Sequence, residues 1–556
     1  MPWAWPPFKR RVAVMALPMT GLTRAVIVAI KDLVGLSFSA AIRKGVMPEP
    51  HQTDSASPRT WIGFAMMCLG MFMAILDIQV VASSLPTIQA ALHIGPEGMS
   101  WVQTAYLVAE IVAIPLTGYL TRLMTMRWLF VVAVSVFTLA SAGCAASSSF
   151  EMLIGFRVLQ GFAGGTLIPA VFSAVFLLFP ERSQGIATTI AGVVAVFAPT
   201  VGPVVGGWLT QTYSWHWLFL INIVPGIVAA AGAALMLPRE RFDLAHLRGL
   251  DVIALATMAA GLTALEIGLK EAPDRGWASP VVVALLAFAG IAALAFVWKT
   301  LRSSRPIVNL RHFADRNFVI GCVLSFVLGV GLFGSVYLMP FFLGLVRGHG
   351  ALEIGEIMLV TGLAQLVAAP VAVALERRVD PRLLSAFGFA LFALGLGMSA
   401  WQTRDTDFAG MLVPQILRGA AIMFCLLPPT RLALGHLAPD DVADGSGLFN
   451  LMRNLGGAIG LALIDTTIFG RAPVHATAII DRLKAGDVAT ATSLDIPKDM
   501  FLAQVGQPLD PGMAAMLKPT VEKLALVDAI NDAWLLVALI TVAALLLLPL
   551  VRRLPR

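Results

Sequence analysis

Asp77 stands inside the apolar stretch "FMAILDIQVVASSLP", Glu110 inside "TAYLVAEIVAIP", and Arg157 at the head of "RVLQGFAGGTLIP". A charge near the middle of a bilayer costs at least about 3 kcal/mol, so residues of this kind face a protein interior or a water-filled path. A carboxylate held between burial and a neighbouring cation can take up a proton and release it again. Asp77 is the first choice for that chemistry, with holding a cationic group as a second, compatible role. The alternative is a buried aspartate satisfied by helix ends or by hydroxyls such as Ser84. Glu110 is its rival, and two carboxylates near each other attract cations strongly where the dielectric is low. Arg157, Gln160, Gly161 and Gly164 fall at spacings of three, four and seven, which puts them on one helical face. Arg157 either ties helices together through backbone carbonyls or acts on a nearby carboxylate. Arg418 and Arg453 lie deep in later apolar runs, and cations there would suit anions instead. Glu266, Glu353, Glu356 and Asp465 fall within a turn or two of the ends of their runs, where solvated carboxylates are common.

These residues need elements to hold them. The chain has 556 residues, 58% hydrophobic and only 13% charged, with mean hydropathy +0.83; a soluble chain of this length carries far more charge. Fourteen apolar runs recur between Trp61 and Val551, each about 18 to 25 residues and long enough for a helix to cross ~30 Å of hydrocarbon. The strict alternation of an outer-membrane barrel is missing from them, so the spans are helices. With the N-terminal side taken as cytoplasmic, the even-numbered connections hold about fifteen Lys and Arg and the odd-numbered short ones about four, a positive-inside asymmetry that places both termini in the cytoplasm. The four cysteines sit inside apolar runs without metal-type spacing and read as buried thiols. The eight histidines lie in tails, connections and helix ends, which argues against a mid-membrane histidine relay.

The fold class that follows is an all-α integral membrane protein with an internal repeat. "AEIVAIPLTGYLTRL" matches "AQLVAAPVAVALERR", with Pro115 against Pro370 and Arg122 against Arg377, and "RVLQGFAGGTLIP" matches "QILRGAAIMFCLLP". Two homologous six-helix bundles, 61–237 and 317–552, are expected, separated by two inserted transmembrane helices with cytoplasmic linkers at 238–316. A long extracytoplasmic loop is expected at about 471–533, either solvated or docking a partner. Residues 1–60 read as a cytoplasmic extension, with a competing reading that translation starts at Met47. Repeated bundles with a site at their interface are the plan of secondary transporters. In "APTVGPVVGGWL", Ala198, Gly202 and Gly206 recur every four residues and let a neighbouring helix approach closely, while Pro203 should bend its helix.

Three stretches, "LDIQVVASSLPTI", "RVLQGFAGGTLIP" and "APTVGPVVGGWL", make the chain resemble the major facilitator superfamily, specifically its fourteen-span drug:proton antiporters of the EmrB/QacA type. The resemblance implies the major facilitator fold and proton-coupled efflux of lipophilic, cationic small molecules by alternating access across the bacterial inner membrane. It implies proton coupling at Asp77 with Arg157; Glu110 stands where many members carry a neutral residue and is expected as an extra proton-coupling site. The substrate cavity is expected from Gln103, Tyr106, Gln160, Gly161, Arg418, Asn450 and Arg453, with Arg418 where the family more often has glutamine. The antiporter motif falls on Ala198, Gly202, Pro203, Gly206 and Gly207, whose kink would seal the leak and favour exchange. No cofactor is implied beyond the proton gradient. A periplasmic adaptor and an outer-membrane channel are the implied partners, with the long loop as contact surface, and nucleic acid is not one. One motif departs: where the family loop has G-x-L-x-D-x-x-G, this chain reads "GYLTRLMT", with Arg122 and Thr125 in place of the acid and the second glycine. No P-loop, H-E-x-x-H or G-x-S-x-G is present, which argues against an ATP-driven pump or an enzyme. The alternatives are an exporter of a specific metabolite such as an organic acid or siderophore and, further off, a non-transporting membrane sensor.

Overall fold

Lipid cannot satisfy backbone N–H and C=O groups, so apolar runs of this length must close their hydrogen bonds internally as helices. The computed structural model describes residues 56–552 except 83, 94–95, 240–250, 304–305, 377, 495, 497–500 and 502–510. The Met47 reading and Arg377 therefore lie outside the described residues. The first bundle comprises α1 (Pro58–Ala82), α2 (Leu85–Leu92), α3 (Pro96–Ala113), α4 (Thr117–Ala145), α5 (Phe150–Leu178), α6 (Glu181–Thr212), α7 (Trp217–Leu220) and α8 (Ile223–Met236). The inserted pair is α9 (Val252–Arg275) and α10 (Pro280–Arg302). The second bundle comprises α11 (Arg316–Phe342), α12 (Ala351–Glu376), α13 (Pro381–Met398), α14 (Phe408–Leu434), α15 (Pro439–Lys484), α16 (Val488–Ser493) and α17 (Pro511–Ala543). No strand occurs among the described residues. Side chains of Ser149, Asp251 and Asp315 cap α5, α9 and α11 by accepting backbone N–H groups three residues on, which satisfies donors a helix start leaves open.

Among the described residues, twelve helices are long and apolar enough to cross a membrane, or thirteen with the bent pair in α6. Fourteen is reached only by dividing Trp101–Ala145. That stretch has 45 residues, about twice what ~30 Å of hydrocarbon requires, and Thr125 interrupts it at φ 66°, ψ 157°. This backbone region is essentially reserved for glycine and costs a side chain about 1–3 kcal/mol. Thr125 thus stands where the resembling loop has its second glycine and adopts the conformation a glycine favours, with its hydroxyl buried and unpartnered. Thr125→Gly is expected to stabilise the protein by about 1 kcal/mol, after allowing for the greater chain entropy of glycine. A detergent melt that shifts upward by a few degrees would show it, and an unchanged or lowered midpoint would refute it.

The two bundles meet reciprocally. The fifth span of the first, α6, packs on the second span of the other, α12, and the fifth span of the second, α15, packs on α5 and the α3–α4 junction. Gly355 of α12 lies against Val204 of α6, the Gln365 amide donates to the Gly192 carbonyl at 3.2 Å, and the Ser446 hydroxyl donates to the Pro169 carbonyl at 2.9 Å. The inserted helix α9 packs on α10 but also on α3 and α15, which brings it to the seam between the bundles. At the other end of α15, much of the stretch read as a loop is helix. With 46 residues, or about 70 Å, α15 outruns any bilayer. Its extension forms an apolar cluster of Ile479, Leu483, Ala491, Leu494, Val521 and Ala525 with α16 and α17.

Candidate functional site

Two polar clusters occupy the apolar interior. The first lies within the first bundle, where Arg157 of α5 meets Asp77 of α1 at 2.5 Å. Asp77 also accepts hydrogen bonds from the Gln160 amide at 2.9 Å and the Asn222 amide at 2.8 Å. Gln160 donates to the Ser141 hydroxyl at 2.8 Å and accepts from Arg157 at 2.7 Å. The guanidinium further donates to the Val102 carbonyl at 3.0 Å and lies 4.4 Å from the Tyr106 ring centre, whose hydroxyl donates to the Ala74 carbonyl. Asp77, Tyr106, Arg157, Gln160 and Asn222 are all at most 1% exposed. Five spans are therefore tied together in one network around this carboxylate. Ser84 is not among its partners; it donates to the Gly206 carbonyl instead.

The small residues predicted on the face of α5 explain how α3 comes so near. Gly161 sits against the Tyr106 backbone, Gly164 against the Tyr106 hydroxyl and Gly165 against the Glu110 backbone, each closer than a Cβ would allow. Glycines at such crossings let two backbones approach in the membrane. Tyr106 and Glu110, four residues apart on α3, follow one another along that contact, one under Arg157 and the other at the seam.

The second cluster lines a cavity of about 120 Å³ between the bundles, where Gln79, Glu110, Glu266, Arg453 and Asn454 interrupt apolar walls. Glu110 stands within electrostatic reach of Glu266, Arg157 and Arg453. The Arg453 guanidinium donates to Asn450 and lies 5.3 Å from the Phe172 ring centre. Of the residues assigned to a substrate cavity, Arg453 lines this one. Tyr106, Gln160 and Gly161 belong to the buried network and its packing, Asn450 supports Arg453, and Gln103 is half-buried on α3. Arg418 is placed elsewhere, within the second bundle, with its guanidinium 4.7 Å from the Trp534 ring centre and one nitrogen on the Met339 sulfur.

The antiporter-like residues stand between the two clusters. Gly202 packs directly on Gln79 of α1, two residues beyond Asp77, and Ala198, Pro203, Gly206 and Gly207 are buried. The bend in α6 is 42° and falls at the break between Pro199 and Val201, a turn ahead of the predicted Pro203. The displacement has a simple cause: Pro203 has no N–H for the carbonyl of residue 199, so the helix opens on the N-terminal side of the proline. The departing loop also finds its partner, for Arg122 pairs with Asp444 of α15 at 2.7 Å and Gly118 lies directly against the same aspartate.

Sequence reasoning missed Asn222, Ser141, Glu266 and Asp444. Asn222 had a signal, as the lone amide in the apolar run "WLFLINIVPG". Glu266 was set aside because it lies near the end of its span, yet α9 turns it into the cavity. The four cysteines are all buried free thiols, and the Cys144 thiol lies 3.7 Å from the Gln160 carbonyl oxygen.

A family model described as "Major Facilitator Superfamily" matches residues 67–461. The chain belongs to that superfamily. It is 37% identical to the "Colistin resistance protein EmrB" of Acinetobacter baumannii, over 75% of this chain and 82% of the relative. It is 32% identical to the "Multidrug export protein EmrB" of Escherichia coli K12, over 74% and 80%, and 31% identical to the "Multidrug resistance protein B homolog" of Mycobacterium tuberculosis CDC 1551, over 78% and 81%. Solved superfamily structures share the fold: the human organic anion transporter MFSD10 at a TM-score of 0.53 and 14% identity, covering 87% of this chain and all of that one, and the proton:xylose symporter XylE at 0.52 and 12%, covering 88% and 94%. The protein is thus a multi-pass membrane transporter of the major facilitator fold and is similar to EmrB-type exporters.

Proposed function

We propose that this transporter exports lipophilic cationic molecules of varied structure in exchange for protons, by alternating access across the bacterial inner membrane. The observation that carries the reading is the cavity between the bundles, in which two carboxylates, Glu110 and Glu266, face a single guanidinium, that of Arg453. With all three ionised the site keeps one negative charge, and the apolar side chains that make up most of its walls suit many hydrophobic bodies. The reading of a specific anion exporter loses support because Arg418 is absent from these walls.

Proton coupling is assigned to Asp77. A proton on Asp77 Oδ2 removes the charge that holds Arg157, which loosens α1 from α5. The same helix carries Gln79, at once a cavity wall and the residue under Gly202 of the bent α6, so a shift of α1 reaches both the cavity and the seam between bundles. Occupation of the cavity beside Gln79 and loss of the proton from Asp77 then both act on α1. Both termini are assigned to the cytoplasm by the charge asymmetry of the loops. The extension built by α15, α16 and α17 is the proposed contact for a periplasmic adaptor and, through it, an outer-membrane channel.

The test uses purified protein in proteoliposomes with an internal pH dye and a panel of lipophilic cations and organic anions. Cations are expected to drive proton movement, and Glu110→Gln is expected to weaken their half-saturation by about tenfold while anions remain inert. Proton flux with anions alone would overturn the charge assignment, and transport of cations without proton movement would overturn the coupling.

A further inference from the structure

The inserted helices have no counterpart in the repeat, and α9 could be mere padding beside the bundles. Its packing says otherwise, since it touches α3 of one bundle and α15 of the other and delivers Glu266 to the cavity wall beside Glu110 and Arg453. The two carboxylates are not equivalent. Glu110 stands within electrostatic reach of both Arg157 and Arg453. Glu266 Oε2 is a buried acceptor with no hydrogen-bond donor among the described residues. Buried polar oxygens are paired in nearly all native structures, and an orphan one marks a place for a missing partner. Another carboxylate on α9, Glu271, shows the contrast: it is held by Lys270 at 3.1 Å and Arg275 at 2.5 Å.

We infer that Glu266 is a specificity-determining residue of the cavity and that its ligand is an ammonium group bearing an N–H, so that protonated primary, secondary or tertiary amines bind in preference to quaternary ammonium ions of the same charge and size. An orphan carboxylate oxygen needs a donor as well as a positive charge, and a quaternary nitrogen supplies only the charge. A site built to receive a hydrogen bond rejects the analogue that lacks it far better than an apolar pocket rejects an extra methyl. A hydrogen bond to a charged group is strong enough to produce a preference of about tenfold or more. This inference rests on the reading of the cavity as the substrate site, and deepens it by naming the class of cation.

The experiment is equilibrium binding in detergent without any proton gradient, so that coupling plays no part. The probes are (1-naphthylmethyl)dimethylammonium and its quaternary analogue (1-naphthylmethyl)trimethylammonium at neutral pH, where both are cations. Wild type is expected to bind the tertiary probe about tenfold or more tightly, and Glu266→Leu, which removes the acceptor, is expected to abolish that ratio mainly by weakening the tertiary probe. Glu271→Gln, on the same helix, is expected to preserve the ratio, and a melt of each variant checks folding. Glu266→Asp, which keeps the charge on a shorter arm, is expected to retain part of it. Equal binding of the two probes by wild type overturns the inference while leaving the cavity reading intact, as does a Glu266→Leu variant that keeps the preference. Binding of neither probe overturns both.

Discussion

Asp77→Asn is expected to lower proton-driven efflux by two orders of magnitude or more and to destabilise the first bundle as well. The two effects have different origins. Under the proposed coupling, transport falls because an amide cannot take the proton assigned to Asp77 Oδ2. Stability falls because Arg157, fully buried, loses the charge that compensates it; breaking a buried ion pair from one side costs about 3–5 kcal/mol. The loss is softened by contacts that remain, since Arg157 keeps the Val102 carbonyl and the Gln160 oxygen. Asp77→Asn/Arg157→Gln removes both charges and is expected to recover most of the melting temperature without recovering proton flux. That separation identifies Asp77 as the titrating group rather than a structural anchor. Substantial proton-coupled transport by the folded double variant would move the coupling site to Glu110.

The network around Asp77 shows what the sequence could and could not convey. Arg157 and Gln160, three residues apart on a helix, were legible as neighbours, and the structure joins them at 2.7 Å. Asp77 and Arg157 were legible as types out of place in lipid, but 80 residues separate them, and only the packing of α1 on α5 decides that they touch. The glycines on α5 announced a close helix crossing without naming α3 as the partner. Glu266 was legible as a residue at a given depth, and depth says nothing about which side of a helix meets the seam. Because α9 and α10 lack a repeat counterpart, internal symmetry offered no guide to where they dock. Asp444 was hidden differently, in the acidic helix start "APDDVADGSG", where solvated carboxylates are the ordinary expectation. The antiporter-like stretch was legible as a helix that bends and, at Gly202, packs closely on Gln79, while the place of the bend followed from a hydrogen bond counted backward from Pro203.

The pairing of Arg122 with Asp444 leads to the second large effect. The resembling loop carries an acid at the position of Arg122, so a latch that depends on a particular sign of charge would fail here. Instead Asp444 supplies the acid from the second bundle, only 3% exposed against 27% for Arg122. Arg122 also donates to the Ile307 carbonyl at 3.2 Å, and the Asn309 N–H donates to Asp444 at 3.3 Å, so the strand of chain entering the second bundle is bound into the same joint. Ile307 lies beneath it, 2% exposed. Arg122→Glu places two carboxylates together in this half-buried setting and is expected to shift the equilibrium toward the state with the joint open by about 1–3 kcal/mol, roughly 5- to 150-fold. A single cysteine at position 307, in a background without the native cysteines, should then label about tenfold faster or more. Arg122→Glu/Asp444→Asn removes the repulsion and is expected to label more slowly than Arg122→Glu alone, since neighbouring charges do not contribute additively. Arg127→Gln serves as the control, because Arg127 bonds the Ala234 carbonyl within the first bundle and spans no seam. Labelling that is the same in all four proteins would show that Arg122 and Asp444 do not govern the opening of this face, and the latch would have to be sought elsewhere, in the contacts between α12 and α6.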